Sequence, residues 1–241
     1  MMDKFKSVFF AVCISAVCSL AILYVSTGLK ERQDKNLMTD KHKNILKAAG
    51  LVLADQTYPA DRIETIYQKN IKTCYIDNTG QIFKEASKDN DRLQLYFQVK
   101  DEDIESYIIP IDTKGLWGQI LGYLALEKDG STIAGFTVYH HSETPGLGGE
   151  IERSWFQKEF VGKKIVNREN QFVSIAIAKG KAPKDLSDNY VDGISGATLT
   201  GKFLTSGLKE ILKEYEPVSV KFRTGGIGKI HPQNRNAEDG K

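Results

Sequence analysis

The hydrophobic residues of this chain begin with one long uninterrupted run. Residues 7–26, SVFFAVCISAVCSLAILYVS, contain no charged side chain. A helix of about 20 residues spans about 30 Å, which is the thickness of the hydrocarbon core of a bilayer. The run therefore predicts one membrane-spanning helix. A cleaved signal peptide is the alternative, but its apolar region covers only about 7–15 residues and ends at a cleavage site of small residues.

Apolar residues at helical spacing follow the run and predict two further helices. The first is expected to begin with Thr39 as its N-cap, and Pro59 then breaks the pattern. The second is expected over residues 60–70. Its apolar face and that of the first helix comprise Ile45, Leu46, Ala49, Val52, Ile63, Ile66 and Tyr67. Residues 29–72 are therefore predicted to form a helical connecting segment.

The pattern changes to that of β-strands after residue 73. Residues 74–112 are rich in β-branched and aromatic residues, with Asn-Thr-Gly and Asp-Glu-Asp as turns. Residues 119–140 predict a hairpin with its turn at residues 128–130. Residues 171–179, QFVSIAIAK, form a nearly continuous apolar run and are predicted as a central strand.

The last part of the chain predicts helices that pack on this sheet. A short helix is expected over residues 151–160, and a long amphipathic helix follows. The apolar stripe of the long helix comprises Leu199, Phe203, Leu204, Leu208, Ile211, Leu212 and Tyr215. The predicted fold class is α+β, a mixed and mostly antiparallel sheet with packed helices, preceded by one N-terminal transmembrane helix. The predicted regions are residues 1–28 as tail and anchor, 29–72 as connector, 73–223 as the ligand-binding domain and 224–241 as a disordered tail.

Composition excludes two classes of function. The 241 residues carry 33 basic and 31 acidic side chains, a net charge of +2, so no basic surface for nucleic acid is expected. Two of the three cysteines, Cys13 and Cys18, lie in the apolar run, which leaves Cys74 without a partner for a disulfide. A CxxC pair for zinc or an iron–sulfur cluster is also absent from the sequence.

The segment DGISGATLT, residues 192–200, directly precedes the long helix. Residues 196–202 match the phosphate-loop pattern GxxxxGK, but Phe203 replaces the Ser or Thr that would reach Mg²⁺, and a buried strand does not precede the segment. The remaining interpretation is a helix start that favours a phosphate, with Ser195 or Thr198 as cap and Gly193 and Gly196 allowing close approach of the backbone. A plain capped helix is the alternative.

Two more segments carry candidate binding residues. HHSETPGLGGEI, residues 140–151, is interpreted either as a backbone-lined slot for a flat ligand with polar contacts from Glu143 and Thr144, or as a long turn with a solvent-facing Glu143. His140 and His141 are adjacent, so they point to opposite faces of a strand and are interpreted as structural. In DTKGLWGQ, residues 112–119, Trp117 is suited either to the core or to stacking on a planar ring, with Lys114 near an anionic group.

Together these segments resemble the FMN-binding domain family and, within it, the C subunits of sodium-translocating NADH:quinone reductases. The resemblance covers the apolar run, KNILKAAGL, KGLWG, HSETPGLGGEI and SGATLT. The motif D-G-x-S/T-G-A-T of the family is matched by Asp192, Gly193, Ser195, Gly196, Ala197 and Thr198. The resemblance implies that Thr198 carries FMN through a phosphoester, attached by a periplasmic FAD-dependent flavin transferase that uses Mg²⁺. The implied ring contacts come from Glu143, Thr144, Gly146, Leu147, Lys114 and Trp117.

The same resemblance implies a function and a location. The chain would be a subunit of a six-subunit translocase that relays electrons from NADH toward quinone and exports Na⁺, without independent catalysis. It would cross the bacterial inner membrane once, with the N-terminus cytoplasmic and the flavin domain periplasmic. Two alternatives are a G subunit of the Rnf ferredoxin:NAD complexes and an anchored FMN-binding module outside a respiratory complex. The apolar run contains no carboxylate, so an ion path inside it is not expected.

Overall fold

The structure, a computed structural model, describes residues 2–53, 55–87 and 91–227, with side chains from residue 6 onward. It divides into two compact units, Met1–Lys41 and His42–Lys241. Most of the predicted disordered tail, residues 228–241, lies outside the described residues.

Helix α1 (Met2–Ala48) is one continuous helix, and its residues up to Lys41 belong to the first unit. The stretch Lys6–Ala48 contains an apolar part with no buried side chains, and it is long and apolar enough to cross a membrane. The prediction that a separate helix begins at Thr39 is wrong. The Thr39 hydroxyl donates a hydrogen bond to the Lys35 carbonyl, 3.0 Å away, so this threonine lies inside α1. A threonine hydroxyl can bond to the preceding turn in this way without ending a helix.

The second unit is built on a six-stranded antiparallel sheet with the order β2-β1-β3-β4-β5-β6. The strands are β1 (Ile71–Ile76), β2 (Ile82–Phe83), β3 (Leu93–Lys100), β4 (Asp103–Lys114), β5 (Gln119–Glu127) and β6 (Ile133–His140). Helix α2 (Ala60–Asn70) precedes them. The structure confirms the predicted α+β class, the second helix and the hairpin formed by β5 and β6.

The remaining elements follow β6 and are shorter except for the last. They are a 3₁₀ helix (Gly148–Glu152), α3 (Ser154–Lys158), β7 (Ala176–Ile177), a 3₁₀ helix (Lys184–Asn189), β8 (Tyr190–Val191) and α4 (Thr198–Arg223). The predicted short helix and the long amphipathic helix are both confirmed.

Helices cover both faces of the sheet. Leu204, Leu208 and Leu212 of α4 are fully buried in one core with the sheet side chains that face them. Ile45 and Leu46 form a second core with Tyr96, Ile108 and Tyr123 on the other face. Each fully buried side chain of this size stabilises the fold by about 1.5–3 kcal/mol. Both faces are therefore apolar, which is why the central strands read as continuous apolar runs rather than as alternating ones.

The prediction of a central strand over residues 171–179 is wrong. The strand in this segment is only Ala176–Ile177, which pairs in parallel with β8 in a separate two-stranded sheet, and Phe172 makes an isolated antiparallel bridge with Val166. Asn170 and Ser174 have φ values of +59° and +72°, in the left-handed region, which interrupts an extended backbone. The apolar residues of this segment contribute instead to the first core, in which Ile175 is buried.

Helix α4 is fixed against the sheet by polar contacts as well as by its apolar stripe. The Tyr107 hydroxyl donates to Ser219 Oγ at 2.7 Å, and the Tyr215 hydroxyl donates to the Gln94 carbonyl at 2.7 Å. Gly207 lies so close to β4 that a Cβ there would overlap the side chain of Thr113. These contacts hold the middle and the C-terminal half of α4 against β3 and β4.

Candidate functional site

The three candidate segments of the sequence lie at one edge of the sheet. The Trp117 loop (residues 115–118) follows β4, and the Glu143 loop (residues 141–149) follows β6. Both β4 and β6 pair antiparallel with β5, so they run in the same direction and end at the same edge. The Thr198 loop (residues 192–200) leads into α4 and packs against the Glu143 loop.

A single buried carboxylate joins the three loops. The Glu143 side chain is only 4% exposed. Its Oε1 accepts a hydrogen bond from the backbone N–H of Trp117 at 3.1 Å, and its Oε2 accepts one from the Thr200 hydroxyl at 2.6 Å. The Glu143 N–H in turn donates to His141 Nδ1 at 3.1 Å. Glu143 therefore points into the protein and not into solvent, and its burial is compensated by a hydrogen bond on each oxygen.

Two glycines make room for this carboxylate. A Cβ at Gly115 would overlap Glu143 Oε1. A Cβ at Gly148 would lie 2.5 Å from Thr200 Oγ1 and 2.8 Å from Glu143 Oε2. Any side chain at either position would displace Glu143 or one of the groups that bind it. These glycines and Thr200 are site residues that the sequence motifs contain but whose roles the sequence did not show.

A second contact joins the Glu143 loop to the Thr198 loop. Gly196 has φ +75°, and a Cβ there would lie 2.7 Å from Leu147 Cδ2. The Thr144 carbonyl accepts the N–H groups of Leu147 and Gly149 at 3.2 and 2.9 Å. This turn, in which Gly146 also has φ +75°, leaves Leu147 43% exposed above Gly196. Thr144 and Gly146 are exposed.

Helix α4 begins without a side-chain cap. The prediction that Ser195 or Thr198 caps it is wrong, because the N-cap is Ala197, which has no hydroxyl. Ser195 is exposed, and Thr198 is the first helical residue. The N–H groups of the first turn therefore lack a side-chain acceptor at the cap, which leaves a site suited to an anion.

The two threonines at the start of α4 have different environments. Thr200 is 2% exposed, and its hydroxyl is bonded to Glu143. Thr198 is half-buried, and its hydroxyl makes no hydrogen bond to any residue that the structure describes. Of the two hydroxyls, only that of Thr198 is accessible from outside.

Large apolar side chains are exposed on these loops and on the first turns of α4. Trp117 is 69% exposed and Leu199 is 52% exposed. Phe203 follows Leu199 by one helical turn, on the same face of α4, and is 38% exposed. Lys114, at the end of β4, is exposed as well. An exposed aromatic and aliphatic surface beside an uncapped helix start can hold a flat aromatic ligand that carries a phosphate.

Asp192 and Gly193 form the base of the Thr198 loop, where they contact a different segment. Asp192 Oδ1 accepts the Ala182 N–H at 2.8 Å, and Oδ2 is paired with the Lys181 ammonium. The Asp192 N–H donates to Glu159 Oε2 at 2.9 Å. Gly193 donates to the Gly180 carbonyl at 2.7 Å. These contacts fix where the Thr198 loop leaves the fold.

The Asp192 contacts predict a specific response to acid. The hydrogen bond from Lys181 and the Ala182 N–H lower the pKa of Asp192. A depressed folded pKa means that the stabilisation is complete above the unfolded value of about 3.9 and is lost as pH falls through the folded pKa. We expect hydrogen exchange at the Ala182 amide, corrected for its intrinsic pH dependence, to be constant down to about pH 4 and faster below it.

The control for this response is Asp192→Asn, which has no titrating group at this position. It should show faster Ala182 exchange at neutral pH and no additional acid step. An acid step of the same size in Asp192→Asn would assign the response to another carboxylate.

Comparison with known proteins shows the family to which the chain belongs. Residues 115–213, which include the three loops from Gly115 onward, match the model of the FMN-binding domain family. The chain is 32% identical to the C subunit of the Na⁺-translocating NADH-quinone reductase of Vibrio alginolyticus, over 89% of this chain and 93% of that protein. It is 34% identical to the protein of the same name from Haemophilus ducreyi, over 82% and 85% of the two chains.

Solved structures give the same result. The crystal structure of the C subunit of the Na⁺-translocating NADH-quinone reductase from Parabacteroides distasonis superposes with a TM-score of 0.68 and 32% identity, covering 81% of this chain and 97% of that one. The crystal structure of Shewanella oneidensis NqrC shares the fold, with a TM-score of 0.64 and 22% identity, covering 77% of this chain and 98% of that one. The chain therefore belongs to the family of the C subunits of Na⁺-translocating NADH-quinone reductases and contains an FMN-binding domain.

Proposed function

We propose that this chain is the membrane-anchored flavin carrier of a Na⁺-translocating NADH:quinone reductase, with FMN attached through a phosphoester to Thr198. The observation that carries the proposal is the contrast between two neighbouring threonines. The Thr198 hydroxyl is accessible at an uncapped helix start, whereas the Thr200 hydroxyl is buried and bonded to Glu143. Of the two threonines, only Thr198 can react without disruption of the fold.

The surroundings of Thr198 suit a phosphate. A phosphoester on its side-chain oxygen would lie next to the free N–H groups and the positive end of α4, which stabilise negative charge. Gly196 presents no side chain on the approach to this position, and Ala197 is small and buried. Ser195 is exposed beside it and can donate a hydrogen bond.

The exposed apolar residues of the site suit the flavin ring. Trp117 and Leu147 lie on loops that Glu143 and Gly196 hold next to the start of α4. Thr144 and Gly146 offer polar and backbone contacts on the same loop, and Lys114 offers a positive charge at the edge. The FMN, when bound, supplies the redox chemistry, and the protein supplies its position and the exclusion of water from one face of the ring.

The attachment reaction needs a second protein. A threonine hydroxyl is a weak nucleophile without a base or metal. The described side chains include no cluster of three His, Cys, Asp or Glu residues that would hold a metal ion. We propose that a periplasmic FAD-dependent flavin transferase with Mg²⁺ supplies the activation, and that it recognises the Thr198 loop.

The location follows from α1. We propose that residues 7–26 cross the bacterial inner membrane once, with the N-terminus in the cytoplasm and the flavin domain in the periplasm. The long uncharged run of α1 supports the anchor. The FMN of this chain would relay electrons on the path from NADH toward quinone within a six-subunit assembly. The names of the relatives favour this assembly over the ferredoxin:NAD complexes. The chain would act as an electron carrier without catalysis of its own.

The test is mass spectrometry of the chain purified from native membranes. Trypsin cleaves after Lys184 and Lys202, so one peptide, residues 185–202, carries both threonines and Ser195. We expect this peptide to carry one FMN, with fragment ions that assign it to Thr198. An unmodified peptide from active membranes would contradict the proposal.

A further inference from the structure

We propose that Glu143 is the positioning residue of the flavin site and not a flavin ligand, and that its hydrogen bond to Thr200 sets the arrangement in which Thr198 is offered to the transferase. The inference rests on the proposed function. Both carboxylate oxygens of Glu143 are occupied by protein groups, one from the Trp117 loop and one from α4. At 4% exposure the side chain leaves no surface for a ligand.

The hydrogen bonds of Glu143 connect its own loop to the Trp117 loop and to α4. The bonded partners are far apart in the chain, since Glu143 is 26 residues from Trp117 and 57 residues from Thr200. The partner on the Trp117 loop is a backbone N–H, so the bond fixes the main chain and leaves the indole ring exposed. The partner on α4 is one turn or less from Thr198, so the bond fixes the first turn of the helix.

Two glycines leave the space that the Glu143 carboxylate occupies. Gly115 and Gly148 are the two positions where a Cβ would strike the carboxylate, and Gly148 would also strike the Thr200 hydroxyl. The Glu143 backbone is held separately by His141. A carboxylate in this pocket is oriented before any ligand arrives, which is the property required of a residue that preorganises a site.

The hydrogen bond between Glu143 and Thr200 also fixes the directions in which the side chains of Thr198 and Thr200 point. Thr198 and Thr200 are two residues apart, so they face different directions on a helix. The Glu143 bond selects the rotation of the first turn in which Thr200 points inward. The Thr198 side chain then faces solvent, in the one orientation in which its hydroxyl can reach the phosphorus atom of the flavin donor.

The experiment uses matched pairs of variants in the full chain, co-expressed with its flavin transferase. Glu143→Leu removes both acceptors at nearly constant volume, and Thr200→Val removes the donor. Glu143→Gln and Thr200→Ser retain hydrogen-bonding groups in the same places, since the serine hydroxyl can donate and the threonine hydroxyl can accept from a glutamine amide. We expect the initial rate of FMN attachment to fall about tenfold or more in E143L and in T200V, because a small misplacement of a reacting group has effects of this size. E143Q and T200S should stay within about threefold of the parent chain.

Two further readouts separate positioning from general stability. Tyr107→Phe removes another buried hydrogen bond between side chains, to Ser219, away from the three loops, and should lower the melting temperature without a change in the attachment rate. In the chain made without transferase, E143L and T200V should speed hydrogen exchange in residues 115–118, whereas Tyr107→Phe should not. The double variant E143L/T200V should be no slower than the slower single variant, since both remove one shared bond.

The outcomes are distinct for the two proposals. If the parent chain carries no FMN, the proposed function fails. If the parent chain is modified but E143L and T200V react as fast as Tyr107→Phe, the positioning role of Glu143 is overturned. Slow reaction of E143Q together with normal exchange in residues 115–118 would likewise overturn it, because the charge and not the position would then matter.

Discussion

Replacement of Thr198 by valine is expected to leave the chain with no covalent FMN. Valine has the shape of threonine without the hydroxyl, so the position loses its nucleophilic oxygen while the helix start keeps its packing. Thr198 is only half-buried and its hydroxyl makes no hydrogen bond to the described residues, so the free energy of unfolding should change by no more than a surface replacement does, within about 0.5 kcal/mol. Flavin fluorescence of the band on a denaturing gel measures the covalent FMN directly.

The controls are variants of the two other hydroxyl residues in the same loop. Ser195→Ala removes an exposed hydroxyl three residues earlier, and Thr200→Ser retains the buried one that binds Glu143. Both should retain the fluorescent band, and Thr198→Ser should retain part of it. A band in Thr198→Val that disappears in Ser195→Ala would assign the flavin to the serine. A band in all of these variants would exclude both Thr198 and Ser195 as the attachment residue.

The segments of the candidate site could be predicted from sequence because each is a local motif. Residues 192–200 precede an apolar stripe of helical period, and residues 141–149 follow a strand, so both loops are visible as interruptions of periodic patterns. That the loops meet follows from a property of sheets: two strands separated by one antiparallel neighbour end at the same edge. The pairing of β4, β5 and β6 supplies this neighbour.

The role of Glu143 could not be predicted from sequence. A glutamate in a loop rich in glycine and proline is usually exposed, and nothing local shows that its acceptors will be met by Thr200 and Trp117, which are distant in the chain. The same limit applies to residues 171–179. Their apolar run is compatible with a central strand, but the left-handed backbone at Ser174 and the pairing with β8 are decided by tertiary packing.

The Thr39 error has a different origin. Hydroxyl residues are favoured at helix starts, yet the same hydroxyl can bond to the carbonyl four residues earlier when the helix already exists. The sequence between the apolar run and residue 48 contains no proline, and its one glycine, Gly28, is accommodated inside α1. The lack of a proline was therefore more informative than the presence of a possible cap.

The second substitution with a large expected effect is Gly193→Ala, within the proposed flavin attachment motif. A Cβ there would overlap the backbone carbonyl oxygen of Ala178, which cannot turn away as a side chain can. Alanine must therefore break the Gly193–Gly180 hydrogen bond and push the base of the Thr198 loop outward. Overpacking of this kind costs about 3 kcal/mol, which corresponds to a decrease in melting temperature of about 6–12 °C for a domain of this size. The amount of covalent FMN per chain should fall together with the melting temperature, because the displaced loop no longer holds Thr198 in its position at the start of α4.

Gly180 is the matched control, because it is the partner of Gly193 in the same hydrogen bond but has open space where its Cβ would be. Gly180→Ala should leave the melting temperature and the FMN content near those of the parent chain. The comparison distinguishes two explanations of a glycine in this motif. If Gly193 serves only the approach of the backbone to the phosphate, Gly193→Ala should lose FMN and keep its melting temperature. Loss of both in Gly193→Ala, with neither lost in Gly180→Ala, would show that the motif glycine is required by the fold first and serves the flavin through it.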